Sequence, residues 1–149
     1  MTDQIDLGYL LQQAAKQYRT RFAYELRAHG LTPQQAAVLM AVSSAPDGVM
    51  APGSVAEAVG ADFATTTGLL QRLERDGWLA SAPNPNDRRS RLVSLTPASE
   101  QAVPALRTIA AGVSARAGDV LSAEELDVLV SLLQRLIHQE TTPTAKAGN

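Results

Sequence analysis

Ser54-Val55-Ala56-Glu57-Ala58-Val59-Gly60-Ala61-Asp62-Phe63-Ala64-Thr65-Thr66-Thr67-Gly68-Leu69-Leu70-Gln71-Arg72-Leu73-Glu74-Arg75-Asp76-Gly77-Trp78-Leu79 is the stretch whose reading decides the fold. Val55, Ala56, Ala58 and Val59 make a short apolar helix that stops at Gly60, and a second helix begins beyond Asp62 and carries Leu69, Leu70 and Leu73 to the core. Gly77 ends that helix, and Trp78 and Leu79 start an extended segment. Asn84-Pro85-Asn86-Asp87 is a turn loaded with Arg88, Arg89 and Arg91, after which Leu92-Val93-Ser94-Leu95 returns. Two helices joined by a tight turn are thus followed by a β-hairpin.

This order, and the residues in it, resemble the MarR family of winged-helix transcription regulators. Val-Ala-Glu-Ala-Val-Gly from Val55, Ala-Thr-Thr-Thr-Gly-Leu-Leu-Gln-Arg-Leu-Glu-Arg-Asp-Gly-Trp-Leu from Ala64, and Asn-Pro-Asn-Asp-Arg-Arg-Ser-Arg-Leu-Val-Ser-Leu-Thr from Asn84 follow the family pattern almost position by position. The most specific part is the wing: an Asp-x-Arg, then an apolar strand ending Leu-Thr-Pro. The resemblance implies a mainly α fold with a small β-wing, in which a winged helix-turn-helix core is flanked by N- and C-terminal dimerisation helices.

Outward from this core the chain reads as helices. Leu7, Leu11, Ala14, Tyr18, Phe22 and Leu26 share one face of a long helix from Asp6 to His29, stopped by Gly30. Thr32, Pro33 and Gln35 supply an N-cap, a first-turn proline and a capping-box partner for a second helix reaching about Ser44. Ala45-Pro46-Asp47-Gly48 is a turn, and Met50 to Gly53 leads into the short helix. Thr96-Pro97 opens a helix to about Ala117 with Pro104 inside it, where a kink or an interruption is expected. Ser122 and Glu125 form a capping box for a last helix with the stripe Leu126, Leu129, Val130, Leu133, Leu136 and Ile137. Residues 1–140 read as one domain, with a DNA-binding lobe at about 32–96, dimerisation helices at about 5–30 and 97–140, and a disordered tail at 141–149.

With 149 residues, 45% apolar and 19% charged, the composition is that of a soluble globular domain with a sizeable core. The absence of cysteine excludes disulfides, thiolate metal sites and cysteine-based oxidation sensing. No basic, apolar leader opens the chain and no apolar run approaches the roughly 18 residues of a spanning helix, so a cytoplasmic protein without membrane contact is expected. The net charge of −2 argues against a nucleic-acid partner only until its distribution is considered. Arg72, Arg75, Arg88, Arg89 and Arg91 crowd the helix-turn-helix and hairpin against Glu74, Asp76 and Asp87, whereas the tail from Asp119 to Glu140 is acidic.

Asp62 caps the second helix of the pair, and Thr65, Thr66 and Thr67 lie in its first turns, where short hydroxyl side chains can meet phosphates or base edges. One of the three must face inward. Arg72 reaches toward the backbone or a guanine edge, although Arg72 or Arg75 could instead pair with Glu74 or Asp76 on the helix surface. Asp87 is expected to pair with Arg89 or to accept turn amides, and so to fix an arginine suited to a narrow minor groove. The resemblance places the minor-groove arginine at Arg89, with Arg88 and Arg91 on phosphates; the bland reading is a solvated charged hairpin. Ser81 and Ala82 stand where relatives often carry a basic residue, so fewer phosphate contacts are expected.

The resemblance further implies a homodimer binding double-stranded DNA at a pseudo-palindromic operator, with half-sites about one helical turn, roughly 10 base pairs, apart. It implies repression as the commoner outcome, and a small aromatic or anionic effector between the first two helices, the dimer helices and the DNA-binding lobe. Tyr18, Arg19, Phe22 and Met40 are the candidates for that pocket, against the plainer reading of Tyr18, Phe22 and Met40 as core. His29 and His138 are the two histidines, and no pair of ligands at metal spacing and no phosphate-cradling glycine loop is present. No catalytic residue, metal or cofactor is assigned, and His29 fits a helix C-terminus. The rival from another class is a winged helix used as a protein-protein adaptor without specific DNA binding.

Overall fold

The computed structural model describes residues 6–139; the expected disordered tail lies outside them. The chain divides into two compact units, Met1–Ala111 and Gly112–Asn149. In the first, α1 (Leu7–Leu26) is capped by the Asp6 carboxylate on the Gly8 amide at 2.9 Å and continues into a 3-10 turn, Arg27–His29, closed by Gly30. Thr32 and Gln35 form the expected reciprocal capping box at the start of α2 (Pro33–Ser43). The face of α1 expected to be apolar throughout is buried only at Phe22 and Leu26, while Leu7, Leu11 and Tyr18 are exposed.

The helix pair is α3 (Pro52–Val59) and α4 (Phe63–Arg75). Both end in the same way. Gly60 (φ 66°) lets the Ala61 amide reach back to the Ala56 carbonyl at 3.1 Å, and Gly77 (φ 80°) lets Trp78 reach Leu73 at 2.8 Å. These are Schellman closures, and the left-handed backbone they need is strained for any residue with a Cβ. The first turns the chain between the two helices, and the second sends it into the hairpin.

Strands β1 (Val49–Met50), β2 (Leu79–Asn84) and β3 (Asp87–Leu95) form one antiparallel sheet in the order β1-β3-β2. Two features differ from the sequence reading. Met50 pairs with Val93 instead of belonging to a lead-in loop, and α3 starts at Pro52. The hairpin turn is tighter than expected: Asn84 pairs with Asp87, so Arg88, Arg89 and Arg91 lie on β3 and not in the turn. Leu26, Val38, Leu39, Val42, Val55, Leu73 and Leu106 are fully buried, each contributing roughly 1.5–3 kcal/mol by leaving water.

Helix α5 (Pro97–Ala115) runs unbroken through Pro104, so the expected interruption is absent. A proline here removes one amide donor without ending the helix, and the Thr108 hydroxyl donates to the Pro104 carbonyl at 3.0 Å. Within the first unit the Arg107 guanidinium donates to the Ser43 and Ser44 hydroxyls at 2.6 and 2.7 Å and to the Met40 carbonyl at 3.2 Å, closing the C-terminus of α2.

The second unit contains the end of α5, a 3-10 turn at Arg116–Asp119 and α6 (Ala123–Gln139), whose start is the expected Ser122 and Glu125 capping box. None of the residues of α6 is buried; Leu129, Val130, Leu136 and Ile137 of the expected stripe are exposed, and Leu126 and Leu133 are half-buried. Among the described residues no helix is long and apolar enough to cross a membrane.

Candidate nucleic-acid interface

The phase of α4 follows from its buried residues. Thr66, Leu69, Leu70 and Leu73 face the core, and at 100° per residue the opposite face centres on Ala64, Gly68, Gln71 and Arg75. Phe63 and Thr67 lie at the edge nearest the hairpin, and Thr65 and Arg72 at the other edge. The outward surface is therefore small and polar at its middle, which suits entry into a groove.

The threonine run divides as expected, and the inward member is Thr66. It is wholly buried, and its hydroxyl donates to the Asp62 carbonyl at 2.8 Å, so Thr66 is withdrawn as a DNA contact: it cannot reach a base or a phosphate. Thr65 is exposed; its amide and hydroxyl both donate to the Asp62 carboxylate, at 2.7 and 2.8 Å. Those two bonds, the amide's first, hold the Asp62 carboxyl below its ordinary value of 3.8. The half-buried Thr67 donates its hydroxyl to the Phe63 carbonyl at 2.9 Å.

Arg75 is paired with Asp76 at 3.0 Å, the surface pairing that sequence left open. The two side chains are 70% and 43% exposed, so the pair contributes little and can be exchanged for a phosphate. No guanidinium of Arg72, Arg88 or Arg89 has a partner among the described residues, and all three are exposed. Asp87 accepts the Arg89 amide at 3.0 Å, the second of its two expected roles, and so fixes the backbone from which Arg89 projects. Asn84 braces the turn, bonding Ser90 and the Asn86 amide.

Arg91 is held differently. Its guanidinium donates to the Ser81 hydroxyl and carbonyl, both at 3.1 Å, and the same hydroxyl donates to Glu74 at 2.7 Å. Ser81, noted in the sequence only for the charge it lacks, ties the wing to the end of α4. Sequence reasoning also passed over Gln71, which is exposed on the outward face; its signal was present, since counting back from the leucines places it there. A cleft of about 440 Å³ between α4 and the hairpin is lined by Phe63, Thr67, Gln71, Ser81 and Arg89 among others.

The proposed effector residues all fall in the first unit. Tyr18 and Phe22 are in ring contact at 5.8 Å, with Phe22 buried and Tyr18 40% exposed; Arg19 is exposed, and Met40 is half-buried. A smaller cavity of about 280 Å³, lined by Val42, Ser43, Gly48, Ser94, Leu95, Glu100, Val103 and Pro104, contains none of the four.

Comparison with known proteins adds three kinds of likeness. The family model described as MarR family matches residues 29–90. Of curated relatives, the transcriptional activatory protein BadR of Rhodopseudomonas palustris is 40% identical over 92 residues, 60% of this chain and 52% of that protein. The chain spans about half the length of the curated relatives it matches first. The transcriptional regulator HosA of Escherichia coli O111:H- is 30% identical over 128 residues, 86% of this chain and 92% of that protein. Of solved structures, a point mutant of MarR from E. coli complexed with operator DNA superposes with a TM-score of 0.81 at 25% identity, covering 89% of this chain and 94% of that chain.

Proposed function

The chain belongs to the MarR family of winged-helix transcription regulators, which are not enzymes, and as a member of it we propose that it is a homodimeric repressor reading a pseudo-palindromic duplex operator in the cytoplasm. The observation that carries this reading is the joint surface of α4 and β3. It has a helix with a small polar outward face, exposed Arg72 on one flank, and a hairpin presenting unpartnered Arg88 and Arg89 beside it. In this arrangement α4 lies in the major groove, where Thr65 and Thr67 meet base edges, Gln71 and Arg72 meet base edges or phosphates, and Arg75 gives up Asp76 for a phosphate. Arg89 enters the adjacent minor groove, Arg88 meets a phosphate, and Arg91 contributes its charge from its tether on Ser81.

Two reading heads require two chains. α6 leaves Val128, Leu129, Val130, Leu132, Leu136 and Ile137 exposed, and α1 leaves Leu7, Leu10 and Leu11 exposed; apolar surface of that extent is the mark of an interface. A small aromatic or anionic effector bound near Tyr18, Arg19, Phe22 and Met40, and releasing the protein from DNA, completes the reading. Arg19 supplies the cation for it, and the Tyr18 and Phe22 rings an apolar wall.

The test is selection of bound duplexes from a random library with purified protein, and light scattering on the same sample. A two-fold symmetric consensus recovered by a dimer supports the reading. A folded protein that enriches nothing, and whose binding to nonspecific duplex does not weaken with salt, is an adaptor instead. Transcription from a promoter overlapping the consensus should fall when the protein is present, and an aromatic carboxylate that restores it identifies the effector class.

A further inference from the structure

We propose that Phe63 reads thymine: its ring packs against the C5-methyl group of one thymine in each half-site, and it is a determinant of sequence preference. The inference rests on the proposed reading of α4 as the groove-entering helix.

Three observations lead to it. First, the threonine run has no hydroxyl proton left for DNA. Thr65 donates to the Asp62 carboxylate at 2.8 Å, Thr66 to the Asp62 carbonyl at 2.8 Å and Thr67 to the Phe63 carbonyl at 2.9 Å. In these bonds the hydroxyls can only accept, and at the major-groove edge thymine O4 and guanine N7 and O6 are themselves acceptors. The threonine hydroxyls as placed therefore cannot bond a thymine or a guanine, and hydrogen-bonded discrimination of those bases falls to other side chains.

Second, Phe63 is the largest apolar group the lobe leaves in water. It is 62% exposed; between Thr32 and Thr96 the other exposed large apolar side chain is Val49, at 37%. The remaining exposed large apolar residues lie on α1 and α6 and beside them, where a second copy of the chain would cover them. Nothing in the lobe covers Phe63, and an aromatic ring left in water forfeits the burial that makes it stabilising.

Third, its position is that of a reader. Phe63 is the first residue of α4, and N-terminal residues of a groove-entering helix are those that reach base edges. It starts a row of side chains that passes through Thr67 to Gln71 on the outward face, four and eight residues on, and all three line the cleft toward the wing. Among groove-edge groups the thymine methyl is the apolar one, and a phenylalanine ring is a recognised partner for it.

The experiment uses the full-length dimer and the selected consensus duplex. Each thymine of a half-site is replaced in turn by deoxyuridine, which deletes the C5-methyl and leaves every hydrogen-bonding group in place. For the unaltered protein one thymine per half-site should respond, with affinity falling about fourfold, the worth of one buried methyl-sized group. Phe63→Ala, exposed and so expected to melt as the parent does, should bind the thymine duplex more weakly by at least that factor and lose the response to deoxyuridine. Phe63→Leu should retain part of it. The proposal is overturned if no thymine responds, if Phe63→Ala binds the consensus unchanged, or if it still senses the methyl. A protein that selects no consensus at all would overturn the operator reading, and this one with it; a consensus read without Phe63 would overturn only this one.

Discussion

Replacing Thr66 by valine tests the inward placement of the middle threonine. The side chain is wholly buried, and its hydroxyl donates to the Asp62 carbonyl at 2.8 Å; that carbonyl also accepts the Thr66 amide at 3.0 Å. Valine has the same shape, and removing the hydroxyl leaves no orphaned carbonyl, because the amide bond remains. The lost hydrogen bond is worth about 1 kcal/mol net and is offset by burying a methyl in place of a hydroxyl, so stability should stay within about 1 kcal/mol of the parent. Thr66→Ala removes the γ-methyl as well and leaves a small cavity, for a total loss of about 2 kcal/mol. Urea denaturation at fixed protein concentration gives both values. Fluorescence anisotropy with the selected duplex should give an unchanged dissociation constant for Thr66→Val. If that variant lost operator affinity while keeping its stability, the hydroxyl would be in contact with DNA and the phase assigned to α4 would be wrong.

Other perturbations probe different parts of the molecule. Arg89→Ala should weaken specific binding by about ten- to hundredfold while leaving the dimer mass unchanged in light scattering; unchanged affinity would remove the wing from the interface. Leu129→Glu with Leu136→Glu places charges on residues already exposed in α6, so the chain should fold but scatter as a monomer and lose operator binding; a persistent dimer would move the interface elsewhere. Asp62 bears on acid stability, since its carboxyl is lowered from 3.8 by the Thr65 amide and hydroxyl. A group lowered on folding stabilises at pH values above its unfolded value and loses that contribution as the pH drops through the folded one. The difference in urea midpoint between the parent and Asp62→Asn should therefore be constant from pH 7 to about pH 5 and shrink below about pH 4; a difference independent of pH would mean the carboxylate charge does not contribute to the cap.

What sequence disclosed depended on how local the chemistry was. Caps are settled by three or four consecutive residues, so Thr32 with Gln35, Asp62, and Ser122 with Glu125 were legible, as were the stops at Gly30, Gly60 and Gly77. Strand β1 was not, because two residues carry no period and Val49 and Met50 become a strand only by meeting Ser94 and Val93. The arginines were assigned to a turn because turn composition marks where a hairpin reverses but not where pairing resumes. Thr66 was recoverable, since 66, 69, 70 and 73 form one helical face, yet the likeness of three adjacent threonines hid it. The Ser81 tether joins residues seven and ten positions away across a helix end and two strands, a placement only the folded chain supplies. At Pro104 the sequence offers a kink or an interruption, and the interruption is absent because one missing amide donor does not stop a helix as long as α5.

The sheet order β1-β3-β2 leaves β2 with one side unpaired, at the edge of the sheet. Such an edge is a template for another chain, and two wings meeting edge to edge would begin a growing ribbon. Pro83 stands near the end of β2 without an amide to donate, and the register shifts between Pro83 and Asn84, so the strand is bent where a partner would have to align. A proline and a register shift at an open edge are the features that discourage pairing with another strand, so the wing carries in β2 its own obstacle to edge-to-edge association.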